Sequence, residues 1–385
     1  MSLFDRVRHA IKGGGGLSRV PLSTGFVPPY AMALGPQAVR LPFDYRAGVR
    51  EAFLGNPVAQ RAVRIVADGV AAAPLAVSEP EVRRLIEAHS AGQSLLETLA
   101  AQLVLHGNAF VQVMKDGAGQ PAELFALRPE RMAVIAGADG WPVAYDYQAG
   151  GATVRLPVED EDGWPTLIHL KTFHPADDHY GAGCLSAAGE AVRIHNAAAA
   201  WNRALLDNAA RPSGALVYAN GEGATLTTDQ FDRLKEELAT AFSGTGNAGR
   251  PLLLEGGLQW QSLSLSPAEM DFAQLKSAAA RDIALAFGVP PMLLGLPGDN
   301  TYANYREASK ALWRLTLLPL AGKILAGLSE GLEPWFPGLT ASVDLDKVPA
   351  LAEDRETLWA QVNGADFLDA DEKRALLGLA PKEAR

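Results

Sequence analysis

The chain has 385 residues, a net charge of −10 and a single cysteine, Cys184. Its length accommodates two or three ordinary domains, and 48% hydrophobic with 20% charged residues is typical of a globular protein. The acidic balance argues against a protein that wraps nucleic acid with a basic surface, and one cysteine forms no intrachain disulfide. The first residues lack the apolar core of a signal peptide. The apolar run Leu315 to Leu328 is interrupted by Pro319 and Lys323, so no membrane span is expected.

Residues 1–48 are predicted to form an extended arm. A glycine run, Gly13 to Gly16, is followed by five prolines before residue 48. No Gly-Lys-Ser/Thr follows the glycines, so the run is interpreted as a tether and not as a phosphate-binding loop.

Three helices are predicted after the arm. The first spans about 56–72, with Asn56 as its cap and Pro57 at its first position. The second spans about 82–90. The third begins at Ser94, where Glu97 would complete a capping box, and ends at Gly107.

Residues 110–172 have the period-two pattern and turn signals of β-strands. The turns fall at residues 115–117, 138–140 and 160–163. The acidic turn at 159–162 is interpreted as a solvated hairpin tip, because its carboxylates lack the regular offsets of a calcium loop.

Residues 169–184 are the best candidate for an active site in the chain. This segment holds His169, His174, Asp177, Asp178, His179 and Cys184. The histidine spacings do not match a helical HExxH pair and no CxxC motif accompanies them. The simpler interpretation is a surface loop that ends at a glycine turn, and a metal-dependent enzyme remains the alternative.

An alanine-rich helix is predicted at 185–209 and a small α/β insert at 212–262. The insert would contain a strand at Gly214 to Tyr218, a helix from its cap Thr228 to Phe242, and further strands at Pro251 to Glu255 and Leu258 to Leu263.

A second long helix is predicted at about 267–287, with Ser266 as its cap. Gly288 ends this helix, and Pro290 with Pro291 prevents its continuation.

A loop at 295–303 then leads to another helix at 304–330, capped by Asn300 or Asn304. Pro319 lies inside the apolar pattern of that helix and should kink it near Thr316. The tail is predicted to hold a helix from Pro349 to Val362 and a short one that Asp369 and Glu372 begin.

The order of these blocks resembles the portal (head–tail connector) proteins of tailed bacteriophages, siphophage type. The resemblance is carried by Phe287-Gly288-Val289-Pro290-Pro291, Leu294-Gly295, Asn304 with Glu307, and the turn Gly107-Asn108-Ala109-Phe110. Gly183-Cys184-Leu185-Ser186 matches the family's glycine-x-serine-proline-leucine block only in part. The resemblance covers roughly residues 50–385 and leaves the N-terminal arm unmatched.

The resemblance implies an α+β portal fold with seven segments. They are an arm (1–48), a helical and β wing (49–184), a first stem helix (185–210), a small α/β clip (211–265), a second stem helix (266–288), a tunnel loop with a kinked helix and wing return (289–343), and a short helical crown (344–385).

The resemblance also implies a function. The chain would form a ring of twelve copies at one vertex of a phage-like capsid, assembled in the bacterial cytoplasm, through which double-stranded DNA enters and leaves. Its partners would be terminase, a head–tail adaptor and the major capsid protein, with no enzymatic activity, cofactor or metal. The sequence leaves open whether the particle is a phage, a prophage remnant or a gene transfer agent.

Two sets of site residues follow from the resemblance. The tunnel loop would present Pro297, Gly298, Asp299, Asn300, Thr301 and Tyr302 to the DNA. Four nearby cations are candidates for DNA contacts or for inter-subunit salt bridges, namely Arg281, Arg306, Lys310 and Arg314. The rival interpretations are the metal-dependent enzyme using residues 169–184 and a non-viral helical scaffold protein.

Overall fold

The computed structural model of the chain describes residues 44–207, 214–218, 227–242, 258–262, 272–297 and 301–378. Nearly all of the predicted arm, the predicted strand Pro251 to Glu255 and the predicted cap Ser266 therefore lie outside the described residues. The chain divides into two units. Within the described part, unit 1 contains residues 70–183 and 320–344, and unit 2 contains the remaining residues.

The described α-helices follow the predicted order except for the first, which forms at the end of the predicted extended arm. In chain order they are α1 Tyr45–Val49, α2 Pro57–Ala71, α3 Pro80–Glu87, α4 Leu95–His106, α5 Cys184–Asp207, α6 Thr228–Phe242, α7 Phe272–Ala286, α8 Tyr302–Leu312, α9 Leu318–Leu332, α10 Ala352–Asn363 and α11 Ala370–Leu376. Two π-helical turns, Arg50–Leu54 and Trp313–Leu317, follow α1 and α8. Short 3-10 turns occur at Pro129–Arg131, Pro291–Leu294, Leu345–Lys347 and Pro349–Leu351.

The described strands are short and antiparallel. They are β1 Leu75–Val77, β2 His89–Ser90, β3 Gln93–Ser94, β4 Asn108–Lys115, β5 Pro121–Leu127, β6 Met132–Ala136, β7 Pro142–Ala149, β8 Ala152–Pro157, β9 Leu167–Lys171, β10 Gly214–Tyr218, β11 Leu258–Ser262 and β12 Ala341–Val343. Unit 1 contains two three-stranded sheets, in the orders β5-β4-β9 and β6-β7-β8, and the pairs β1-β12 and β2-β3. In unit 2, β10 pairs with β11 in the insert.

The core of unit 1 forms where the two three-stranded sheets meet. Phe110, Leu127, Met132, Tyr145 and Leu167 form one buried cluster. Each of these residues comes from a different strand, β4, β5, β6, β7 and β9, so the cluster joins the two sheets.

Helix α9 packs closely on β9 within unit 1 because two of its residues have no side chain. A Cβ atom on Gly327 would overlap Leu170, and one on Gly331 would lie 2.5 Å from atoms of Ile168. Glycine at these helical positions therefore permits the helix to approach the strand.

Several predicted helix caps are confirmed. The side-chain oxygen of Asn56 accepts hydrogen bonds of 3.0 Å from the backbone of Val58 and of Ala59, at the start of α2. Gly107 ends α4 with a φ of 83°. Asp369 and Glu372 form the capping box of α11.

One predicted capping box and one predicted cap are wrong. Ser94 occupies the cap position of α4, but its side chain makes no capping hydrogen bond. The cap of α6 is Thr227 and not Thr228, because Thr227 exchanges hydrogen bonds with Gln230. Thr227 and Thr228 are adjacent and both of capping type, so sequence alone did not select the right one.

The helix after the loop also begins earlier than predicted. Its cap is Thr301, whose side chain accepts a hydrogen bond of 3.2 Å from the backbone of Asn304. Neither Asn300 nor Asn304 is the cap, because Thr301 has the extended backbone that a cap requires.

The predicted irregularity before Pro319 is present as the π-helical turn Trp313–Leu317, where the backbone N–H of Leu318 bonds to the carbonyl of Trp313. Pro319 has no N–H to donate, so the regular i→i−4 hydrogen bonding of the helix is interrupted at this point. The helical segment Tyr302–Leu332 is, by length and composition alone, long and apolar enough to cross a membrane. Core helices of soluble proteins meet the same test, so this property does not by itself identify a membrane protein.

The acidic turn at 159–162 is solvated as predicted at Glu159, Glu161 and Asp162, which are exposed, whereas Asp160 is half-buried. Asp160 forms an ion pair with Lys115, and its carboxylate also accepts hydrogen bonds from the backbone of Asp162 and Trp164. The hydrogen bond from Lys115 is the main reason that the pKa of Asp160 lies below its usual value.

Candidate functional site

The candidate site in unit 2 begins at a sharp elbow after α7. Gly288 has a φ of 66°, a conformation that side chains disfavour, and Val289 closes the helix by donating 2.9 Å to the carbonyl of Ala284. The 3-10 turn Pro291–Leu294 follows and ends at Gly295, which has a φ of 73°. The elbow is therefore set by two left-handed glycines and by prolines that exclude further helix.

The described ends of the predicted tunnel loop are fixed by neighbouring side chains. One terminal nitrogen of Arg281 donates 2.6 Å to the carbonyl oxygen of Pro297, and the other donates 2.9 Å to Ser277. At the far end, Thr301 caps α8. Gly298, Asp299 and Asn300 lie outside the described residues.

Aromatic side chains are exposed next to the loop. Tyr302 is 80% exposed, and the guanidinium carbon of Arg306 lies 5.7 Å from the centre of its ring. A cavity of about 190 Å³ is lined by Met292, Thr301, Tyr302 and Tyr305. The loop thus leads into a surface that offers aromatic faces and hydroxyl groups.

Three of the four predicted cations form a row along α8 and the turn after it. Lys310 lies 3.2 Å from the carboxylates of both Glu353 and Asp354. Arg314 contacts Asp354 at 2.5 Å, and Arg306 contacts Glu353 at 3.5 Å. The hydrogen bonds from Lys310 to Glu353 and Asp354 raise the pKa of the Lys310 ammonium group.

The structure therefore separates the four cations into two roles within unit 2. Arg281 holds the start of the loop, whereas Arg306, Lys310 and Arg314 pair with the first turn of α10. Glu353 and Asp354 were not among the predicted site residues. The available signal was a row of cations spaced by four residues and a helix that begins with two acids.

The histidines of residues 169–184 lie in unit 1 and do not form a metal site. The ring of His169 stacks on Phe110 with a centroid distance of 4.2 Å, and its Nε2 donates 3.1 Å to Asn108. Burial, followed by the positive charges of Lys171, His179 and His106, lowers the pKa of His169 to about 3. Across the described residues, no group of three or more His, Cys, Asp or Glu side chains is placed to hold a metal ion.

The prediction that residues 169–184 form a surface loop is wrong in part. His179 is 3% exposed, and the backbone N–H of Gly181 donates 2.8 Å to Asn108. A Cβ on Gly181 would overlap the carbonyl oxygen of Gly107. The glycines of this loop therefore permit close packing against the end of α4.

The chain belongs to the phage portal protein family, because the family's sequence profile, described as phage portal protein, matches residues 57–378. This family is structural rather than catalytic. An uncharacterised protein of Rickettsia bellii is 38% identical over 351 residues, which are 87% of this chain and 89% of that protein. A probable portal protein of Streptomyces phage phiC31 is 28% identical over 346 residues, 83% of this chain and 73% of that protein.

A solved structure is similar over nearly its whole length. It is a chain from the neck of a native gene transfer agent particle, computed with C12 symmetry. That chain is 48% identical to this one, with a TM-score of 0.67 and coverage of 92% of this chain and 98% of the other. The mixed helical and sheet architecture predicted from the sequence is thereby confirmed as that of portal proteins.

Proposed function

We propose that this chain forms a ring of twelve identical subunits that serves as the portal of a phage-like particle. The observation that carries the proposal is the similarity to a neck component in a structure computed with C12 symmetry, which covers 98% of that chain. Rings of this kind arise when head-to-tail interfaces between identical subunits close on themselves. Among a phage, a prophage remnant and a gene transfer agent, the similarity favours a gene transfer agent.

The centre of the ring is proposed to be the channel for double-stranded DNA during packaging and exit. Duplex DNA carries roughly one negative charge per 1.7 Å of its axis. A subunit with a net charge of −10 discourages DNA from adhering to the wall, which suits translocation. The loop Pro297 to Thr301 and the first residue of α8, Tyr302, are proposed to face the moving DNA, which the exposed ring of Tyr302 contacts without reading its sequence.

The segments 49–184, 211–265 and 344–385 are proposed as wing, clip and crown. The clip would meet terminase during packaging and a head–tail adaptor afterwards, and the ring would sit at the portal vertex of the capsid beside the major capsid protein. Assembly would occur in the bacterial cytoplasm, and the role of the chain would be structural.

A replacement of the loop tests the channel assignment. Residues 297–300 are exchanged for Gly-Ser-Gly-Ser, which keeps both the length of the chain and the cap Thr301. A matched control exchanges the exposed hairpin tip Gly150-Gly151 for Asn-Gly, because asparagine tolerates the φ of 59° at position 150. Both variants should assemble rings of wild-type mass, and only the loop variant should yield fewer DNA-filled particles. An unchanged yield of filled particles for the loop variant would contradict the assignment.

A further inference from the structure

The row Arg306, Lys310 and Arg314 has the spacing of a phosphate-binding surface. The three residues recur at every fourth position, so they share one side of the helix. At 1.5 Å per residue the row spans about 12 Å. One strand of duplex DNA presents a phosphate about every 3.4 Å along the axis, so three to four phosphates fall within that span.

In the folded chain this row is neutralised. Its three positive charges face three carboxylates, those of Glu307, Glu353 and Asp354. Lys310 is the most enclosed of the cations, with 13% of its side chain exposed. The row therefore offers little net positive charge to an approaching phosphate.

The two carboxylates from α10 are held in place by contacts other than their pairs with the row. Both lie in the first turn of α10, where the helix dipole favours negative charge. Val348 and Leu351, in the turn that leads into the helix, are buried, and so is Val362 near its end. Arg355 fixes it further, by a 2.5 Å contact with Asp346. Neutralising the carboxylates should therefore leave α10 where it is.

We propose that Glu353 and Asp354 are an intramolecular shield that keeps a latent phosphate-binding row, Arg306, Lys310 and Arg314, from gripping the DNA backbone. This inference rests on the proposed function, in which duplex DNA passes the assembled ring. Each cation that engages a phosphate steepens the slope of the logarithm of the binding constant against the logarithm of the salt concentration by about 0.9. A channel lined by such contacts would retain DNA, and the shield removes that retention without removing the cations.

The test compares two double variants with equal change in net charge. E353Q/D354N removes the shield, and the control D146N/E190Q removes two carboxylates that pair with Arg155 and Arg193 elsewhere. Binding of a fluorescein-labelled duplex of random sequence is followed by anisotropy on full-length protein. Between about 50 and about 200 mM KCl, the affinity of E353Q/D354N should fall about 12-fold more than that of the control, the change for two added phosphate contacts, because Glu307 still pairs with Lys310. At about 50 mM KCl, E353Q/D354N should bind the duplex about tenfold more tightly than D146N/E190Q does.

A rescue variant identifies the row as the source of the binding. Adding R306Q, K310Q and R314Q to the shield variant should return its affinity to that of wild type. The proposal is overturned if E353Q/D354N binds DNA no more tightly than D146N/E190Q, or if the triple substitution leaves the gained affinity intact. If the proposed ring does not form, electron micrographs of the wild-type protein would show this independently of DNA binding. The binding comparison remains readable in that case, because the row and its shield belong to one chain.

Discussion

The hydroxyl of Thr316 donates a hydrogen bond of 2.6 Å to the carbonyl oxygen of Gly288. Thr316 lies in the π-helical turn Trp313–Leu317, and Gly288 forms the elbow after α7. The contact therefore joins the two irregular points on either side of the proposed tunnel loop. A Cβ atom on Gly288 would lie 2.8 Å from the Thr316 hydroxyl, so this contact requires glycine.

Gly288→Ala should destabilise unit 2 more than Gly295→Ala does. Both glycines have positive φ, so each substitution costs about 1–2 kcal/mol of backbone strain. The added methyl group meets Thr316 at position 288 and open space at position 295. Chemical denaturation should therefore show a further loss of roughly 1 kcal/mol for Gly288→Ala. Equal losses for the two variants would contradict the proposed contact.

Thr316→Val should cost about 1 kcal/mol, the usual value of one hydrogen bond. Valine has nearly the shape of threonine, so the substitution removes the donor to Gly288 and little else. Chemical denaturation of the purified protein measures the effect. Gly322→Ala is a suitable control, because a Cβ there meets no atom within 4 Å and should be neutral or stabilising.

Asn108→Ala should strongly destabilise unit 1. The amide nitrogen of Asn108 donates to His106 and to the carbonyl of Gly181, and its oxygen accepts from the backbone of Gly181. Removing the side chain takes this partner from the buried N–H and carbonyl of Gly181, at about 1–3 kcal/mol each. Asn56→Ala is the matched variant in unit 2. Hydrogen exchange should show faster opening around residues 106–110 for Asn108→Ala and around residues 56–59 for Asn56→Ala, and the reverse or a uniform change would contradict these assignments.

The stability of unit 1 should fall as the pH is lowered from about 6.5 towards about 3. Burial lowers the pKa of His169 to about 3, whereas an unfolded histidine binds a proton near pH 6.5. The unfolded state therefore binds more protons in this window, so the contribution of neutral His169 is complete above pH 6.5 and is lost on acidification.

The variant His169→Gln should flatten this pH dependence, because glutamine does not titrate. The exposed His89 supplies the control, and His89→Gln should follow the wild-type curve. The measurement is the free energy of unfolding from urea titrations at several pH values. If the free energy of unfolding of His169→Gln depends on pH as that of the wild type does, another group causes the pH dependence.

Two substitutions of Trp335 separate stacking from hydrogen bonding in unit 1. The ring of Trp335 stacks on Trp164 at 5.0 Å, Lys115 lies 5.1 Å from its centre, and its Nε1 donates 3.0 Å to Gly119. Trp335→Phe removes the hydrogen bond and should cost about 1 kcal/mol. Trp335→Ala also removes the aromatic contacts and should cost about 3 kcal/mol or more. Thermal unfolding distinguishes the two, and equal losses would assign no role to the stacked rings.

Local signals in the sequence predicted much of the fold. Asn56, Gly107 and Gly288 mark helix ends because each satisfies a backbone requirement that a few residue types meet. Pro319 located the interruption near Thr316 for the same reason. Capping predictions failed where several suitable residues are adjacent, as with Thr227 and Thr228.

Long-range partners could not be predicted from the sequence. Lys310 and Asp354 are 44 residues apart, and nothing local selects one acid among the many in the chain. His169 is buried because its ring stacks on Phe110, which lies opposite it on the neighbouring strand. The sequence does not show this pairing, so the histidine-rich segment resembled an active site. Alternation indicated the strands but not the partner of each one.

The central claim, that this chain is the subunit of a portal ring, is tested most directly by cryo-electron microscopy of the purified full-length protein across a range of concentrations. The account predicts closed rings with an open centre and twelve subunits, as expected from the similarity to the neck structure with C12 symmetry. A monomer or dimer that persists at every concentration, and also in particles assembled with the major capsid protein, would contradict it.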